Sequence, residues 1–240
     1  MSGFNFYEDG QYAEAYSKLE VSGTYYLAYR DLPQIFAKHI TGWKALDFGC
    51  GAGRSTRFLQ KLGFVVTGID ISEEMLKKAK EKDPAGDYRL VHGDDFSELT
   101  RASFDLILSA FPFDNIPEMN RKIGLFTRLS HLLNSSGCIV NLVSSPEIYV
   151  NEWLSFSTKD FPENRLAKSG DEVKVLNRAI ADSRPVTDIF MTNESYRDVY
   201  EKSGLKIVET YRPLGMREEP YDWVNEMVIA PWVIYVLGHQ

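Results

Sequence analysis

Three alternating glycines near residue 50 constrain the fold more than any other feature of this sequence. Segment 46–53 reads LDFGCGAG, and the apolar residues of segment 54–62 that follow have helical spacing. Glycine lets a backbone turn tightly and lets a ligand approach the peptide planes closely. We therefore predict a ligand-binding loop between a buried strand and a helix. The loop residues predicted to contact the ligand are Gly49, Cys50, Gly51 and Gly53.

Short apolar runs alternate with amphipathic segments along most of the chain. Strands are predicted at 45–48, 64–69, 88–91, 104–109 and 138–143, and helices at 54–62, from Ser72 and from about Pro117. Continuously apolar strands that alternate with helices indicate a parallel sheet covered on both faces. A further helix at 192–203 precedes two strands at 205–211 and 232–237, which we expect to close the sheet as an antiparallel pair. The predicted fold is α/β, a Rossmann-like, doubly wound, seven-stranded sheet that is mostly parallel with an antiparallel closing strand.

Two regions interrupt this alternation and suggest the organisation of the chain. Residues 1–43 look helical and are rich in tyrosine, and residues 145–191 carry scattered aromatic residues around a polar middle. We predict an N-terminal helical region at 1–43, an α/β core at 44–144 and an insertion after the fifth strand at 145–191. Residues 192–240 are predicted to complete the core domain.

The composition excludes several classes of protein. The formal net charge is −7 and no face is rich in lysine and arginine, which argues against a nucleic-acid partner. No run of 18 uncharged apolar residues exists, so no membrane span is predicted, and the N-terminus does not resemble a signal peptide. Cys50 and Cys138 have no partners at metal-binding spacing. We expect a cytoplasmic protein without a metal, and the sequence does not indicate its oligomeric state.

Asp47, at the start of the loop, bears on the charge of the ligand. Glycine spacing alone would also suit a dinucleotide, but a carboxylate at the mouth of the loop repels a pyrophosphate. A ligand with an ammonium and a sulfonium group is attracted instead. The sequence also lacks the Gly-x-Gly-x-x-Gly spacing of dinucleotide loops. A cationic ligand is therefore favoured, and an NAD-linked oxidoreductase is the weaker alternative.

Segment 46–53 resembles motif I of the class I S-adenosylmethionine-dependent methyltransferases, and the resemblance extends over about residues 40–145. The resemblance implies S-adenosylmethionine as the cofactor, with Asp47 in the conserved acidic position of the motif. Asp70, at the end of the second strand, would accept hydrogen bonds from both ribose hydroxyls. Ile71 and Met75 would lie against the adenine ring.

The resemblance assigns further cofactor positions along the chain. Asp94 would accept the adenine amino group, and the backbone of Asp95 and Phe96 would meet the ring. Ser109 and Ala110, at the end of the fourth strand, would flank the methionine part. Tyr16 in the N-terminal helix would close the site as part of a lid, although the tyrosines there would equally suit a packed core.

The substrate side is less specific in the sequence. The side chains predicted to line it are Tyr12, Phe111, Phe113, Trp153 and Trp223. The aromatic character favours a small, partly apolar metabolite that receives a methyl group on an O, N or C nucleophile by in-line displacement. No catalytic base stands out, because His39, His92, His131 and His239 are better explained by structural roles or lie far from the expected methyl group.

Two further interpretations stay open at this point. A protein that binds the cofactor without catalysing methyl transfer would have the same motifs. Methylation of RNA or protein is disfavoured by the acidic charge. Segment 109–113, SAFPF, departs from the signature of enzymes that methylate adenine or glutamine amino groups, so that subclass is disfavoured as well.

Overall fold

The computed structural model describes residues 14–15, 17–19 and 21–240 and contains one large sheet. Its strands are β1 (Lys44–Phe48), β2 (Val65–Asp70), β3 (Asp87–Leu90), β4 (Phe104–Ala110), β5 (Leu133–Ser144), β9 (Leu205–Tyr211) and β10 (Trp232–His239). The strand order is β3-β2-β1-β4-β5-β10-β9. The first five strands are parallel, whereas β10 is antiparallel to both of its neighbours. The predicted seven-stranded, doubly wound fold is therefore confirmed.

Helices cover both faces of this sheet. They are α1 (Thr24–Arg30), α2 (Leu32–His39), α3 (Arg54–Lys61), α4 (Glu73–Lys82), α5 (Met119–Ser130) and α6 (Asn193–Lys202). Successive strand residues point to opposite faces, so Leu106 and Leu108 pack in one core cluster with α1 and α2, and Ile107 packs in another with α5 and α6. Burial on both faces explains why the central strands are continuously apolar.

Polar caps fix where several helices begin. Ser72 accepts a hydrogen bond from the Met75 amide over 3.3 Å at the start of α4, and Thr192 caps α6 in the same way. Helix α5 begins at Met119 rather than at the predicted Pro117. Its N-cap, Glu118, is still extended at φ −98° and ψ 124°, so helical geometry starts only one residue later.

Strand β5 is longer than predicted. The segment before residue 138, outside the predicted strand, continues the strand but bulges out of register with β4. Leu133 pairs with Phe104 and Cys138 pairs with Leu106, so four residues of β5 lie between consecutive pairs. The serines at positions 135 and 136 are exposed in this bulge, which accounts for their polar character.

The insertion folds as a small three-stranded antiparallel sheet of β6 (Phe156–Ser157), β7 (Glu172–Asn177) and β8 (Val186–Ile189). Val173 and Val175 of β7 are buried in the same core cluster as α1. Tyr25 of α1 stacks on Trp232 of β10 at a centroid distance of 5.5 Å. The insertion and α1 therefore pack near the carboxyl ends of the parallel strands. Of the helices described, none has the length and apolar character needed to cross a bilayer.

Candidate functional site

A cavity of about 830 Å³ opens at the carboxyl ends of the parallel strands. Its walls come from the glycine loop after β1, the end of β2, the loops after β3 and β4, and the β7–β8 hairpin. Ligands of open α/β sheets bind at this edge, because the chain diverges there between strands. The cavity is therefore the candidate active site.

The glycine loop forms the floor of the cavity and is held by β2. The amides of Gly49 and Cys50 both donate to the carbonyl of Ile69, over 2.9 and 3.0 Å. Gly49 has φ +71°, and a Cβ there would lie 2.6 Å from Pro112. Gly51 has φ +52°. Only glycine adopts this path without strain or collision.

Asp70 connects the end of β2 to the loop. Its carboxylate accepts hydrogen bonds from the Gly51 amide over 2.7 Å and from the Ser72 amide over 2.9 Å. Asp70 also lines the cavity, and burial raises the pKa of its carboxyl group. The residue predicted to bind ribose hydroxyls thus also fixes the shape of the loop.

Asp47 lies behind the loop rather than on the cavity surface. Its Oδ2 atom accepts hydrogen bonds from the hydroxyls of Ser55 and Thr56, over 2.7 and 2.6 Å. The side chain is fully buried, and burial raises the pKa of Asp47 to about 6. Its Oδ1 atom has no hydrogen-bond partner within the described part of the chain. One buried acceptor therefore remains available directly beneath the loop.

The residues predicted for adenine divide into two groups. Ile71, Met75 and Asp94 line the cavity, and Asp94 forms an ion pair of 3.3 Å with Arg121. Asp95 and Phe96 are not on the cavity wall. Asp95 accepts a hydrogen bond from the Ser97 amide over 2.9 Å, and the Phe96 ring packs on Phe48 at 6.0 Å.

The residues predicted after β4 also separate. Ala110 and Phe111 line the cavity, whereas Ser109 is fully buried beneath it. Phe111 has φ +74°, an uncommon conformation for an aromatic residue that is often found at functional sites. Phe113 stacks on Phe126 at 4.0 Å with no exposed surface, so it belongs to the core rather than to the cavity wall.

The remaining predicted substrate residues lie elsewhere. Trp153 is fully buried, with its indole N–H donating to the Ile148 carbonyl over 2.9 Å. Trp223 packs on Tyr221 at 4.7 Å, away from the cavity wall. Tyr12 and Tyr16 lie outside the described residues. From the N-terminal region, α1 supplies Tyr25 to the cavity wall.

An aromatic wall adjoins the glycine loop. It consists of Tyr25, Phe111, Phe156 and Trp232, all of which line the cavity. The rings of Phe111 and Phe156 pack on Trp232 at centroid distances of 4.8 and 5.6 Å. The guanidinium of Arg54 lies 4.8 Å from the centre of the Tyr25 ring, so the first turn of α3 is tied to this wall.

Two buried acids that the sequence interpretation missed also line the cavity. Asp114, in the turn after β4, accepts hydrogen bonds from the Ser144 amide over 2.9 Å and from the Tyr196 hydroxyl over 3.3 Å. Asp188, on β8, accepts hydrogen bonds from Asn115 over 2.8 Å and from the Tyr149 hydroxyl over 3.1 Å. The sequence signal for each was a single acid in a mostly apolar segment: Asp114 in AFPFDNIP and Asp188 in PVTDIFM.

Burial and mutual repulsion perturb these acids. Burial raises the pKa of Asp114 to about 6. Burial, together with the charge of Asp114, raises the pKa of Asp188 to about 8. Lys122 is fully buried nearby and donates to the Phe113 carbonyl, and burial lowers its pKa to about 8. Acids and bases with such shifted pKa values are found preferentially at functional sites.

Comparison with known proteins bears on this site. A family model described as a methyltransferase domain matches residues 46–140, which contain the glycine loop and Asp70. A ubiquinone biosynthesis O-methyltransferase of Thiobacillus denitrificans is 28% identical over 191 residues, covering 73% of this chain and 71% of that protein. An uncharacterized methyltransferase of Alkaliphilus oremlandii is 33% identical over 123 residues, half of this chain and 56% of that protein.

Solved structures share the fold over nearly the whole chain. A protein of Pyrococcus horikoshii superposes with a TM-score of 0.67 at 16% identity, covering 99% of this chain and all of that one. An S-adenosylmethionine-dependent methyltransferase of Clostridium acetobutylicum gives a TM-score of 0.64 at 15% identity, covering 96% of this chain and 98% of that one. At such low identities the structural likeness concerns the fold alone. The family model in addition matches the segment that contains the glycine loop and Asp70. Residues 46–140 therefore match a methyltransferase domain, and the chain has a fold that it shares with S-adenosylmethionine-dependent methyltransferases.

Proposed function

We propose that this protein transfers the methyl group of S-adenosylmethionine to an O, N or C nucleophile of a small, partly apolar metabolite. The observation that carries the proposal is that one cavity joins the glycine loop to the aromatic wall. A single site therefore has room for the methyl donor at one end and an acceptor at the other. The match of residues 46–140 to a methyltransferase domain supports the enzyme class, whereas the acceptor and the residue roles are part of the proposal.

The chain's own residues fit S-adenosylmethionine at the loop end. Asp70 would accept the ribose hydroxyls, and Ile71 and Met75 would lie against adenine. Asp94 would accept the adenine amino group through Oδ2, since its contacts with Arg121 involve Oδ1. The orphaned Oδ1 of Asp47 would accept a hydrogen bond at the cationic methionine end, directly or through water.

The bound cofactor supplies an activated methyl group, whose transfer forms a bond to the acceptor, breaks the carbon–sulfur bond and leaves the electron pair on sulfur. The protein therefore contributes mainly position and exclusion of water. Gly49 and Gly51 allow close approach at the loop. Phe111 and Trp232 present apolar surface that would orient the acceptor and keep water out.

Calorimetry with S-adenosylhomocysteine tests the cofactor half of this proposal. We expect micromolar binding to the parent protein and at least tenfold weaker binding to Asp70→Ala, about 1.4 kcal/mol, because the ribose acceptor is lost. Glu98→Ala, which removes an exposed acid from the loop after β3, should bind as the parent does. An absence of binding heat, or equal affinity in Asp70→Ala, would contradict the proposal.

Two further measurements address the alternatives. A fluorescence titration with NADH should show no binding, because Asp47 and the loop spacing disfavour a pyrophosphate. A screen of metabolite pools with radiolabelled S-adenosylmethionine should yield a methylated product. Binding of S-adenosylhomocysteine without any methyl transfer would favour a cofactor-binding protein that is not an enzyme.

A further inference from the structure

Asp114 and Asp188 come from different parts of the chain to one region of the cavity. Asp114 follows β4 in the core, and Asp188 lies in the hairpin of the insertion. Asn115 bridges the two segments by donating to Asp188 over 2.8 Å. Both acids line the cavity although their exposed fractions are only 4% and 8%. Tertiary packing thus holds two buried acids side by side on the cavity wall, unlike a cluster of acids on the exposed surface.

The hydrogen bonds of this pair leave its charge uncompensated. The partners of both carboxyl groups are neutral: a backbone amide, an asparagine and two tyrosines. Burial raises the pKa of Tyr149 and Tyr196, so both stay protonated. The buried ammonium of Lys122 acts on both acids. Two carboxylates that share one buried ammonium lack one positive charge when both ionise.

The charges of the whole cavity wall, with Asp114 and Asp188 included, favour a cation over an anion. Its described lining residues include six carboxyl groups and three cationic side chains. An acceptor with a carboxylate or phosphate would be repelled. Aromatic rings such as Phe111 and Trp232 suit the apolar body of an amine and attract its charge through their faces.

Within the proposed function, on which this step rests, we propose that Asp114 and Asp188 bind a protonated amine of the methyl acceptor and that Asp188 takes its proton. Breaking the N–H bond moves a proton to the Asp188 carboxylate and leaves the electron pair on nitrogen. The neutral amine then has the lone pair that an attack on the methyl group requires. The acceptor class is accordingly a primary or secondary amine on a small apolar body.

Asp188 suits this role better than any other group on the wall. No histidine of the described chain lines the cavity, and burial raises the pKa of the Cys50 thiol. Burial together with Asp114 raises the pKa of Asp188 to about 8, which makes it the stronger base of the two acids. An arriving ammonium lowers that pKa again, so binding at neutral pH should release a proton from Asp188 to solvent.

The test compares amines with alcohols of the same shape. Protein saturated with S-adenosylhomocysteine is titrated by calorimetry with 2-phenylethylamine, benzylamine and cyclohexylamine, and with the three matching alcohols. We expect at least one amine to bind at least tenfold more tightly than its alcohol. Asp188→Asn should remove that preference. Asp160→Asn, the same change at an exposed site of the insertion, should keep it.

Proton release provides a second measurement that needs only the parent protein. Amine binding at pH 7 is measured in two buffers with different ionisation enthalpies, and we expect release of a fraction of one proton or more. Asp188→Asn should release none. If Asp188 had only a structural role and stayed neutral, Asp188→Asn would change neither the amine preference nor the number of protons released.

The outcomes separate the two proposals. No S-adenosylhomocysteine heat would overturn the proposed function and this inference with it. If the protein binds S-adenosylhomocysteine but binds no amine more tightly than its matching alcohol, the inference alone is overturned. The same follows if Asp188→Asn binds the amines as tightly as the parent does. Amine binding without proton release would refute the role of Asp188 as proton acceptor.

Discussion

The amide of Gly51 donates a hydrogen bond of 2.7 Å to the carboxylate of Asp70. This contact links the glycine loop after β1 to the end of β2, so the shape of the floor depends on both strands. Gly51 has φ +52°, and a Cβ on it would lie 3.1 Å from the Met75 side chain. The loop, its anchoring acid and a predicted adenine contact therefore form one unit.

Gly51→Ala should weaken S-adenosylhomocysteine binding at least tenfold and lower stability by about 1 kcal/mol, because the left-handed backbone is strained with a side chain. Calorimetry and urea unfolding measure the two effects. Gly204→Ala is a matched control, since Gly204 has φ +74° with no atom within 4 Å of its Cβ position. The control should lose stability and bind the ligand normally. Unchanged binding in Gly51→Ala would contradict the assigned role of the loop.

Ser109→Ala should leave the protein at least as stable as the parent. The Ser109 hydroxyl is fully buried on β4 and has no hydrogen-bond partner among the described residues. Removing an unsatisfied hydroxyl relieves a desolvation cost of about 1–3 kcal/mol, offset in part by lost packing. Urea unfolding of the ligand-free protein measures the change.

Ser145→Ala is the contrasting control for that measurement. Ser145 is as buried as Ser109 and, like it, does not lie in a helix. Its hydroxyl, however, donates to the Ala230 carbonyl over 2.8 Å. The control should lose about 1–3 kcal/mol, because a buried carbonyl loses its partner. Equal losses at both positions would show that Ser109 has a hydrogen-bond partner in solution.

Asp188→Asn should become more stable relative to the parent as the pH rises from 5 to 8. The pKa of Asp188 is raised from 3.8 to about 8 in the folded protein, so unfolding releases its proton over this interval. The parent therefore loses stability as the pH rises toward 8, whereas the asparagine does not titrate. We expect the difference in unfolding free energy to grow by about 1 kcal/mol or more and to level off above pH 8. Chemical unfolding at pH 5, 7, 8 and 9 measures it, and a pH-independent difference would contradict the raised pKa.

Local sequence patterns predicted the fold and the loop well, for a physical reason. Strand and helix periodicity reports burial within a few neighbouring residues, and the packing of a parallel sheet then follows from the order of the elements. Glycine spacing reports backbone geometry at the site itself. Asp70, which the family resemblance assigns to the ribose, lines the cavity because the end of a parallel strand lies at the ligand-binding edge whatever the rest of the chain does.

Side-chain destinations were less accessible to such reasoning. Phe113 and Trp153 have the same aromatic character as Phe111 and Trp232, yet the first two are in the core and the others line the cavity. Asp47 was predicted at the mouth of the loop, whereas the hydroxyls of Ser55 and Thr56 hold its carboxylate behind the loop and leave only Oδ1 without a partner among the described residues. In each case the direction of the side chain decides whether it lies in the core or on the cavity wall. That direction depends on the tertiary packing, and the residue type does not reveal it.

The sequence by itself determined the doubly wound sheet, the glycine loop and the acid at the end of β2, because each depends on residues close together in the chain. Only the tertiary structure brought Asp114 and Asp188 together. Asn115 reaches Asp188 across 73 positions of sequence, a contact that exists only because the insertion folds over the strand ends. The shifted pKa values of the two acids arise from that shared burial, so the acceptor side of the cavity is a product of long-range packing.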